Sequence, residues 1–155
     1  MERALKPIEG RVRAAGEGDL ERILEIEQAS FTHPWSVFTF KRCLEESTSM
    51  VCEEEGILGF LIATLEIPPW EKQPVAHLHN LAVDPGYRRK GVASALLKVF
   101  LKFCKVERVR TVSLEVRRRN TGAIRFYKRQ GFKRKRRMPH FYEDGEDAFL
   151  MEGEL

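Results

Sequence analysis

The chain has 155 residues, the size of one compact domain, and its hydrophobic content of 43 % is typical of a globular protein and not of a disordered one. Its longest nearly continuous apolar stretch, residues 57–65, is about half the ~20 residues that a membrane-spanning helix needs, and residues 1–6 contain no apolar signal core. These features predict a cytoplasmic protein whose residues 1–155 form a single domain, and they exclude a membrane partner.

Positive charge is concentrated in one segment of the chain. Residues 117–137 contain eleven Lys or Arg and no Asp or Glu, whereas the other residues include 16 basic and 23 acidic ones. Such a segment attracts an anionic partner, and a phosphorylated cofactor, RNA and an acidic peptide all fit. A solvated basic face without a dedicated partner stays open as the alternative.

The first half of the chain predicts one short strand, two helices and a hairpin. A strand at 11–14 precedes a helix at 20–30, and an aromatic loop at 31–36 leads into a second helix for which Ser36 is the cap. Two apolar runs at 50–52 and 57–65 follow, and the second is apolar on both alternations, as in a central strand.

The second half predicts an alternation of strands and helices. A strand at 76–83 leads into a helix at 91–106, and a strand at 111–116 leads into a short helix capped by Asn120 and ended by Gly131. Strands at 132–137 and 148–152 close the chain. Cys43, Cys52 and Cys104 form an odd set without a C-x-x-C pair, which predicts buried thiols and no disulfide scaffold.

The segment from Leu81 to Ser94 carries the clearest chemical signal. A strand enters a turn, three cations follow, and Gly91 and Ala93 leave the backbone amides at the helix start open to close approach. Those amides, together with the positive end of the helix dipole, form a natural pyrophosphate cradle.

These residues resemble the GNAT superfamily of acetyl-coenzyme A-dependent N-acetyltransferases, whose pyrophosphate motif is matched by Arg88, Gly91 and Ala93. Ala93 replaces the second glycine, a change that the motif permits. A second block, from Leu114 to Phe132, and the aromatic loop with Glu27 are similar to the branch that contains RimI, which acetylates the N-terminal alanine of a small-subunit ribosomal protein. The resemblance covers residues 11–152 and implies an α/β fold: a mixed, mostly antiparallel sheet of about seven strands flanked by about four helices.

The resemblance also implies which residues bind acetyl-CoA, and it implies no metal. The strand backbone is expected to pair with the pantetheine arm at Leu81, Ala82 and Val83. The pyrophosphate is expected to bind at Arg88, Arg89, Lys90, Gly91, Val92, Ala93 and Ser94. Asn120 is expected to contact the cofactor, and a role as a helix cap is compatible with that contact.

Two residues match the catalytic positions of the family. Glu115 matches the general base, which would act through water on the acceptor amine, and an exposed strand glutamate paired with a neighbouring arginine is the alternative. Tyr127 matches the general acid for the departing thiolate, and a packing role is its alternative. Direct attack by the amine needs no covalent enzyme intermediate.

The acceptor site is expected to involve Phe31, Trp35, His77 and Tyr142. His77 and His79 lie on one strand face, and no third metal ligand stands near them, so packing, peptide contact or an auxiliary base role is expected. The five cations at 133–137 indicate a sheet edge protected by charge or a contact for acidic peptide or RNA.

The function implied is acetyl transfer from acetyl-CoA to the N-terminal amine of a protein, a ribosomal protein in the RimI branch. An enzyme that acts on internal lysine or a small amine is the second hypothesis. The third is an RNA- or ribosome-binding module that uses residues 117–137. The pattern fits a monomer or a homodimer.

Overall fold

The computed structural model describes residues 8–155; residues 1–7, which include the segment predicted to lack a signal core, lie outside the described residues. The chain forms an α/β fold with four α-helices and one seven-stranded sheet in the order β1-β2-β3-β4-β5-β7-β6. The strands are β1 (Val12–Ala14), β2 (Thr48–Glu53), β3 (Ile57–Glu66), β4 (Val75–Val83), β5 (Thr111–Arg117), β6 (Lys133–Met138) and β7 (Ala148–Glu154). The helices are α1 (Leu20–Ser30), α2 (Val37–Glu46), α3 (Val92–Val106) and α4 (Thr121–Arg129). The predicted fold class and order of elements are confirmed.

Local signals set the element ends as expected. The Ser36 hydroxyl accepts a hydrogen bond from the Thr39 N–H at the start of α2, and Asn120 does the same for Ala123 at the start of α4. Gly131 follows α4 at a φ of 96°, in the left-handed region that favours glycine. The first strand begins one residue later than predicted, at Val12, which lies opposite Cys52 of β2. Arg11 instead ends a 3-10 turn.

Sheet pairing is antiparallel between β1 and β2, β2 and β3, β5 and β7, and β6 and β7. β4 pairs in parallel with β5, where Ala76 lies opposite Val112 and His77 opposite Ser113. A parallel pair needs a long crossover, and α3 supplies it.

The described chain divides into two compact units. The first consists of the residues up to Thr64 together with Asn80–Phe103. Its core joins α1, α2, β2 and β3, with Phe40 and Phe60 in edge-to-face contact at 5.5 Å between ring centroids. Residues 57–63 are buried throughout, as expected for a central strand.

The second unit consists of Leu65–His79 and Cys104–Leu155. Its strand β5 alternates between buried Val112, Leu114 and Val116 and half-buried residues, among them Glu115. Phe132 packs over Gly153 of β7, where an added Cβ would lie 3.2 Å from the phenylalanine ring. Glu115 thus lies on the face of β5 opposite to its buried residues.

All three cysteines are free thiols, as predicted. Cys52 and Cys104 are buried and Cys43 is half-buried. Burial raises the pKa of Cys104 to about 12 and also raises the pKa values of the other two thiols. No helix among residues 8–155 has the length and apolar character needed to cross a membrane.

Gly59 of β3 gives a direct test of packing in the first unit. A Cβ at this position would lie 2.8 Å from the Ala82 carbonyl oxygen and 3.0 Å from the Val92 side chain, so Gly59→Ala must displace backbone. We expect the substitution to lower the free energy of unfolding by about 1–3 kcal/mol in urea titrations. Gly122→Ala is the control: it meets nothing within 4 Å, lies in α4, and is expected to be neutral or stabilising. Equal stability of the two variants would contradict the close contact.

Candidate active site

Glu115 lies at the end of a hydrogen-bonded chain on one face of β4 and β5, with His77 at its centre. Its Oε2 is 2.6 Å from His77 Nε2, and His77 Nδ1 is 2.8 Å from the Ser113 hydroxyl. The parallel register creates this chain, because His77 lies directly opposite Ser113 and Glu115 is two residues further along the same strand face. The side chains of His77 and Glu115 are 25 % and 21 % exposed, so a small reactant can reach them.

The chemistry of these three groups fixes the direction of the hydrogen bonds. An ionised carboxylate only accepts, so His77 Nε2–H donates to Glu115. In a neutral imidazole the other nitrogen then accepts, and the Ser113 hydroxyl donates to it. Ser113 thereby orients the ring, His77 holds Glu115, and the Glu115 carboxylate is the group of the three that can accept a proton.

The partner of Glu115 is a histidine and not an arginine. The alternative of an exposed glutamate paired with a neighbouring arginine is therefore not what the structure shows. The nearby Arg117 instead donates from Nη1 to Asp144 at 2.9 Å and to Glu146 at 3.3 Å.

Two tyrosines lie in the same unit as Glu115. Tyr127 contacts Phe126 and Phe132, with ring centroids 5.2 and 5.7 Å away, and no described residue accepts a hydrogen bond from its hydroxyl. Burial raises the pKa of Tyr127 well above its usual value, and the neighbouring Tyr142 adds to the effect. Burial also raises the pKa of Tyr142 to about 12, with a contribution from the charge of Glu115. Tyr142 thus lies within electrostatic reach of both predicted catalytic residues.

Tyr142 is held by the arginine that follows Glu115 on the same strand face. The Arg117 guanidinium lies 4.0 Å from the centre of the Tyr142 ring. The loop beyond Tyr142 folds back through the Asp144 and Glu146 carboxylates that Arg117 binds. This arrangement gives Tyr142 a fixed position, as an acceptor-site residue requires.

His77 and His79 stack with ring centroids 4.7 Å apart. Partial desolvation and the neighbouring His77 lower the pKa of His79, which favours its neutral form. Among residues 8–155, no group of three or more His, Cys, Asp or Glu side chains is arranged to hold a metal ion.

The predicted pyrophosphate loop lies in the first unit, between β4 and α3. Asp84 closes its first turn by accepting from the Gly86 N–H at 2.7 Å, and Arg22 of α1 binds the same carboxylate. Arg88 donates weakly to the Val83 carbonyl, while Arg89 and Gly91 adopt left-handed φ values of 61° and 83°. Left-handed residues next to a helix start turn successive N–H groups toward one side, which is the geometry of an anion nest.

The residues placed in this loop by the sequence fit a phosphate group. Arg88, Arg89, Lys90 and Gly91 are exposed, Ala93 and Ser94 are half-buried, and only Val92 is buried, as a helix anchor. An added Cβ at Gly91 would meet nothing within 4 Å, so its neighbourhood is open. At the preceding strand end, Ala82 and Val83 are buried and Leu81 is half-buried. Asn120, in the second unit, is an exposed N-cap residue whose predicted cofactor contact stays a prediction.

The aromatic loop is anchored by Glu27 of α1, which is 1 % exposed. Its Oε2 accepts from the Trp35 N–H and its Oε1 from Asn80 Nδ2, both at 2.9 Å. Burial raises the pKa of Glu27, and these two hydrogen bonds oppose that effect. Trp35 packs on Phe40 at 5.4 Å, whereas Phe31 is 36 % exposed. Of the two predicted acceptor residues in this loop, Phe31 is thus the more accessible.

The sequence alone indicates no role for Ser113, for the contacts of Arg117 with Tyr142, Asp144 and Glu146, or for the hydrogen bonds of Glu27. Ser113 and Arg117 flank Glu115 at two-residue spacing, so strand alternation alone indicates that they share its face. The two carboxylates that Arg117 binds, those of Asp144 and Glu146, lie in a turn 27 and 29 residues further along the chain. No local pattern indicates contacts of that range.

The chain is similar to known acetyltransferases in sequence and in fold. The model of the acetyltransferase (GNAT) family matches residues 20–132. An N-alpha-acetyltransferase of Sulfurisphaera tokodaii is 34 % identical over 164 residues, which cover 98 % of this chain and 97 % of that protein. These matches confirm the resemblance expected from the motifs.

Two crystal structures match the fold over nearly the whole chain. The ribosomal-protein-S18-alanine N-acetyltransferase from Escherichia coli matches with a TM-score of 0.82 at 31 % identity and covers 92 % of both chains. Ard1 from Thermoplasma volcanium matches with a TM-score of 0.85 at 31 % identity, over 93 % of this chain and 96 % of that one. The first match confirms the expected similarity to the RimI branch.

The Glu27 anchor can be tested without an activity assay. Glu27→Gln keeps the size of the side chain but replaces one acceptor oxygen by an NH₂ group, so one of its two N–H partners loses its acceptor. We expect amide hydrogen exchange across residues 31–36 to become about tenfold faster, the equivalent of one lost hydrogen bond. Glu21→Gln, at an exposed position of the same helix, is the control. Unchanged exchange in the Glu27 variant would show that the loop is held by other contacts.

Proposed function

The chain belongs to the GNAT family of acetyltransferases, and we propose that it transfers the acetyl group of acetyl-CoA to the N-terminal α-amino group of a protein. The observation that carries the proposal is the Glu115–His77–Ser113 chain, which offers an ordered proton acceptor on a reachable strand face. The names of the Sulfurisphaera and Escherichia coli relatives support the α-amine as acceptor.

The acetyl donor fits the loop between β4 and α3. Its pyrophosphate carries negative charge, and the loop offers the exposed cations Arg88, Arg89 and Lys90 together with the left-handed turn at Gly91. The amides from Arg89 to Ser94 would hold the phosphates, and the end of β4 from Leu81 to Val83 would hold the pantetheine arm. The bound cosubstrate supplies the thioester acetyl group.

Glu115 is proposed to act as general base. An ammonium group cannot attack a thioester, because its nitrogen has no free lone pair. The α-amine, with a reference pKa of about 7.7–8.0, is roughly a tenth deprotonated at neutral pH, whereas a lysine near 10.4 is far below a hundredth. The modest remaining help fits a carboxylate that acts through water and becomes neutral when it takes the proton, while the His77 N–H and the Ser113 hydroxyl keep its side chain in place.

Tyr127 is proposed to act as general acid. Its raised pKa keeps the phenol protonated throughout the neutral range, so a proton is always present on its oxygen. The hydroxyl makes no hydrogen bond to another described residue and is therefore available to a bound group. In the second unit, Tyr142, fixed by Arg117, and His77 are proposed to contact the acceptor, and in the first unit Phe31 and Trp35 are proposed as acceptor residues.

A ribosomal protein is the acceptor that we propose within this class. The Escherichia coli relative is named for the alanine of ribosomal protein S18, and it matches this chain over 92 % of its length. Transfer to an internal lysine or a small amine is the competing activity. It would require a stronger base than transfer to an α-amine requires of Glu115.

The proposed reaction is tested with peptide pairs that differ only in a free or blocked amino terminus and that contain one internal lysine. We expect acetyl-CoA-dependent transfer to the free terminus alone, located by mass spectrometry. Glu115→Gln and Tyr127→Phe are each expected to lower kcat at least tenfold while the KM for acetyl-CoA stays nearly constant.

The control for these variants is Glu154→Gln, an exposed position at the end of β7. Full activity of both site variants would refute the assigned roles but not the reaction. Acetyl-lysine in the blocked peptides would instead select the competing activity.

The pH profile follows from the protonation states. We expect kcat/KM for a free-terminus peptide to rise about tenfold per pH unit below ~7.5 and to level off above ~8, as the α-amine loses its proton. Because the pKa of Tyr127 is raised, the phenol stays protonated at these values and no descending limb is expected up to about pH 10. Tyr127→Phe should lower the curve without changing its shape. A fall in rate between pH 8 and 10 that disappears in Tyr127→Phe would contradict the raised pKa.

A further inference from the structure

The cations of β6 differ in what they contact, and the difference follows the two faces of the sheet. β6 is an edge strand that pairs only with β7, and its register shifts between Arg134 and Arg136. Arg137 lies opposite Phe149, and the Arg134 guanidinium lies 4.4 Å from the centre of that same ring. Arg137 is bound by the Asp147 carboxylate. Both cations on the Phe149 face are therefore engaged within the chain.

Lys135 lies at the register shift and has no direct partner on β7. The two cations on the other face, Lys133 and Arg136, have no such contacts. Lys133 lies opposite Glu152 and Arg136 opposite Leu150. Both cations are exposed, and no carboxylate among residues 8–155 forms an ion pair with either of them. Glu152 lies opposite Lys133 but does not come within ion-pair distance of it. Leu150, the half-buried residue opposite Arg136, is apolar.

Lys133 and Arg136 lie on the same face of the sheet as the proposed base, Glu115. β5 pairs with β7 so that Glu115 lies opposite Leu150, and β7 pairs with β6 so that Leu150 lies opposite Arg136. Direct partners in a ladder share a face, so one row contains Glu115, Leu150 and Arg136. A carboxylate, an apolar side chain and a guanidinium thus follow one another across three strands.

The spacing of this row fits an extended peptide. Neighbouring strands lie ~4.8 Å apart, so the backbone of Arg136 is about 10 Å from that of Glu115, and an extended chain rises ~3.4 Å per residue. A peptide whose amino terminus lies at Glu115 would bring its third or fourth residue to Arg136. We propose that Arg136, assisted by Lys133, forms a subsite for an acidic side chain at the third or fourth position of the acceptor, with Leu150 beneath the residue before it.

This inference rests on the proposed function, since it takes Glu115 as the place of the reacting amine. It also favours peptide over RNA as the partner of these cations. A phosphate backbone would draw on positive charge irrespective of the sheet face. Here Arg134 and Arg137 are already engaged, and Lys133 and Arg136 lie on the sheet face of the proposed base Glu115.

The test compares free-terminus octapeptides that carry Glu, Gln or Lys at position 3 or 4 and are otherwise identical. We expect kcat/KM to favour the Glu peptide over the Gln peptide about five- to tenfold at low salt through a lower KM, the size expected for two exposed ion pairs. The preference should shrink at 1 M salt. In Lys133→Ser/Arg136→Ser it should vanish, and in Lys133→Glu/Arg136→Glu it should shift toward the Lys peptide.

Lys105→Ser/Arg110→Ser is the matched control. It removes one lysine and one arginine from exposed positions of the same unit and should leave the preference intact. Turnover of the Gln peptide shows in every variant that the enzyme is folded and active.

Each other outcome overturns the inference. Equal rates for Glu and Gln peptides in the parent enzyme would refute it while leaving the proposed function in place, whereas transfer to no peptide would refute both. An equal loss for Glu and Gln peptides in Lys133→Ser/Arg136→Ser would assign the cations a structural role. A 20-nucleotide single-stranded RNA could also inhibit the parent enzyme but not the Lys133→Ser/Arg136→Ser variant. If the peptides were then not discriminated, the two cations would be assigned to binding a polyanion.

Discussion

The hydrogen bond between Glu115 and His77 is the interaction on which the rest of the candidate site depends. It joins two strands whose parallel pairing requires the long crossover through α3. The helix that follows the predicted pyrophosphate loop is therefore also the connection between β4 and β5. A slip of one residue in that pairing would turn every side chain of β5 to the opposite face. His77 would then face an apolar residue, and Glu115 would lie in the core.

Two different kinds of chemistry are distributed over the two units. The unit that contains α1 and α2 holds the turn at Asp84, the exposed cations that follow it and the left-handed Gly91, which suit a phosphate group. The unit that contains β5 and β7 holds Glu115, His77 and Ser113, the hydrogen-bonded groups to which we assign proton transfer under the proposed function.

The sequence predicts the fold and the motif residues far better than it predicts the contacts between them. Alternation along β5 and helix caps such as Ser36 and Asn120 are local signals, and the structure confirms them. The pairing of Glu115 with His77 depends on the strand register, and no short sequence pattern links two residues that are 38 positions apart. The face-dependent engagement of the β6 cations is hidden for the same reason, since a run of five basic residues looks uniform until a bulge divides it.

The buried thiols have a practical consequence for how the enzyme can be observed. Each turnover of acetyl-CoA releases a coenzyme thiol, which disulfide reagents detect by colour. Only thiolates react with such reagents, and at neutral pH a group with a pKa of about 12, such as Cys104, is almost entirely protonated as well as buried. Cys52 is buried with a raised pKa, and Cys43 is half-buried with a raised pKa. The folded protein therefore contributes little background of its own, and loss of its native structure would register in the same assay as a burst of new colour.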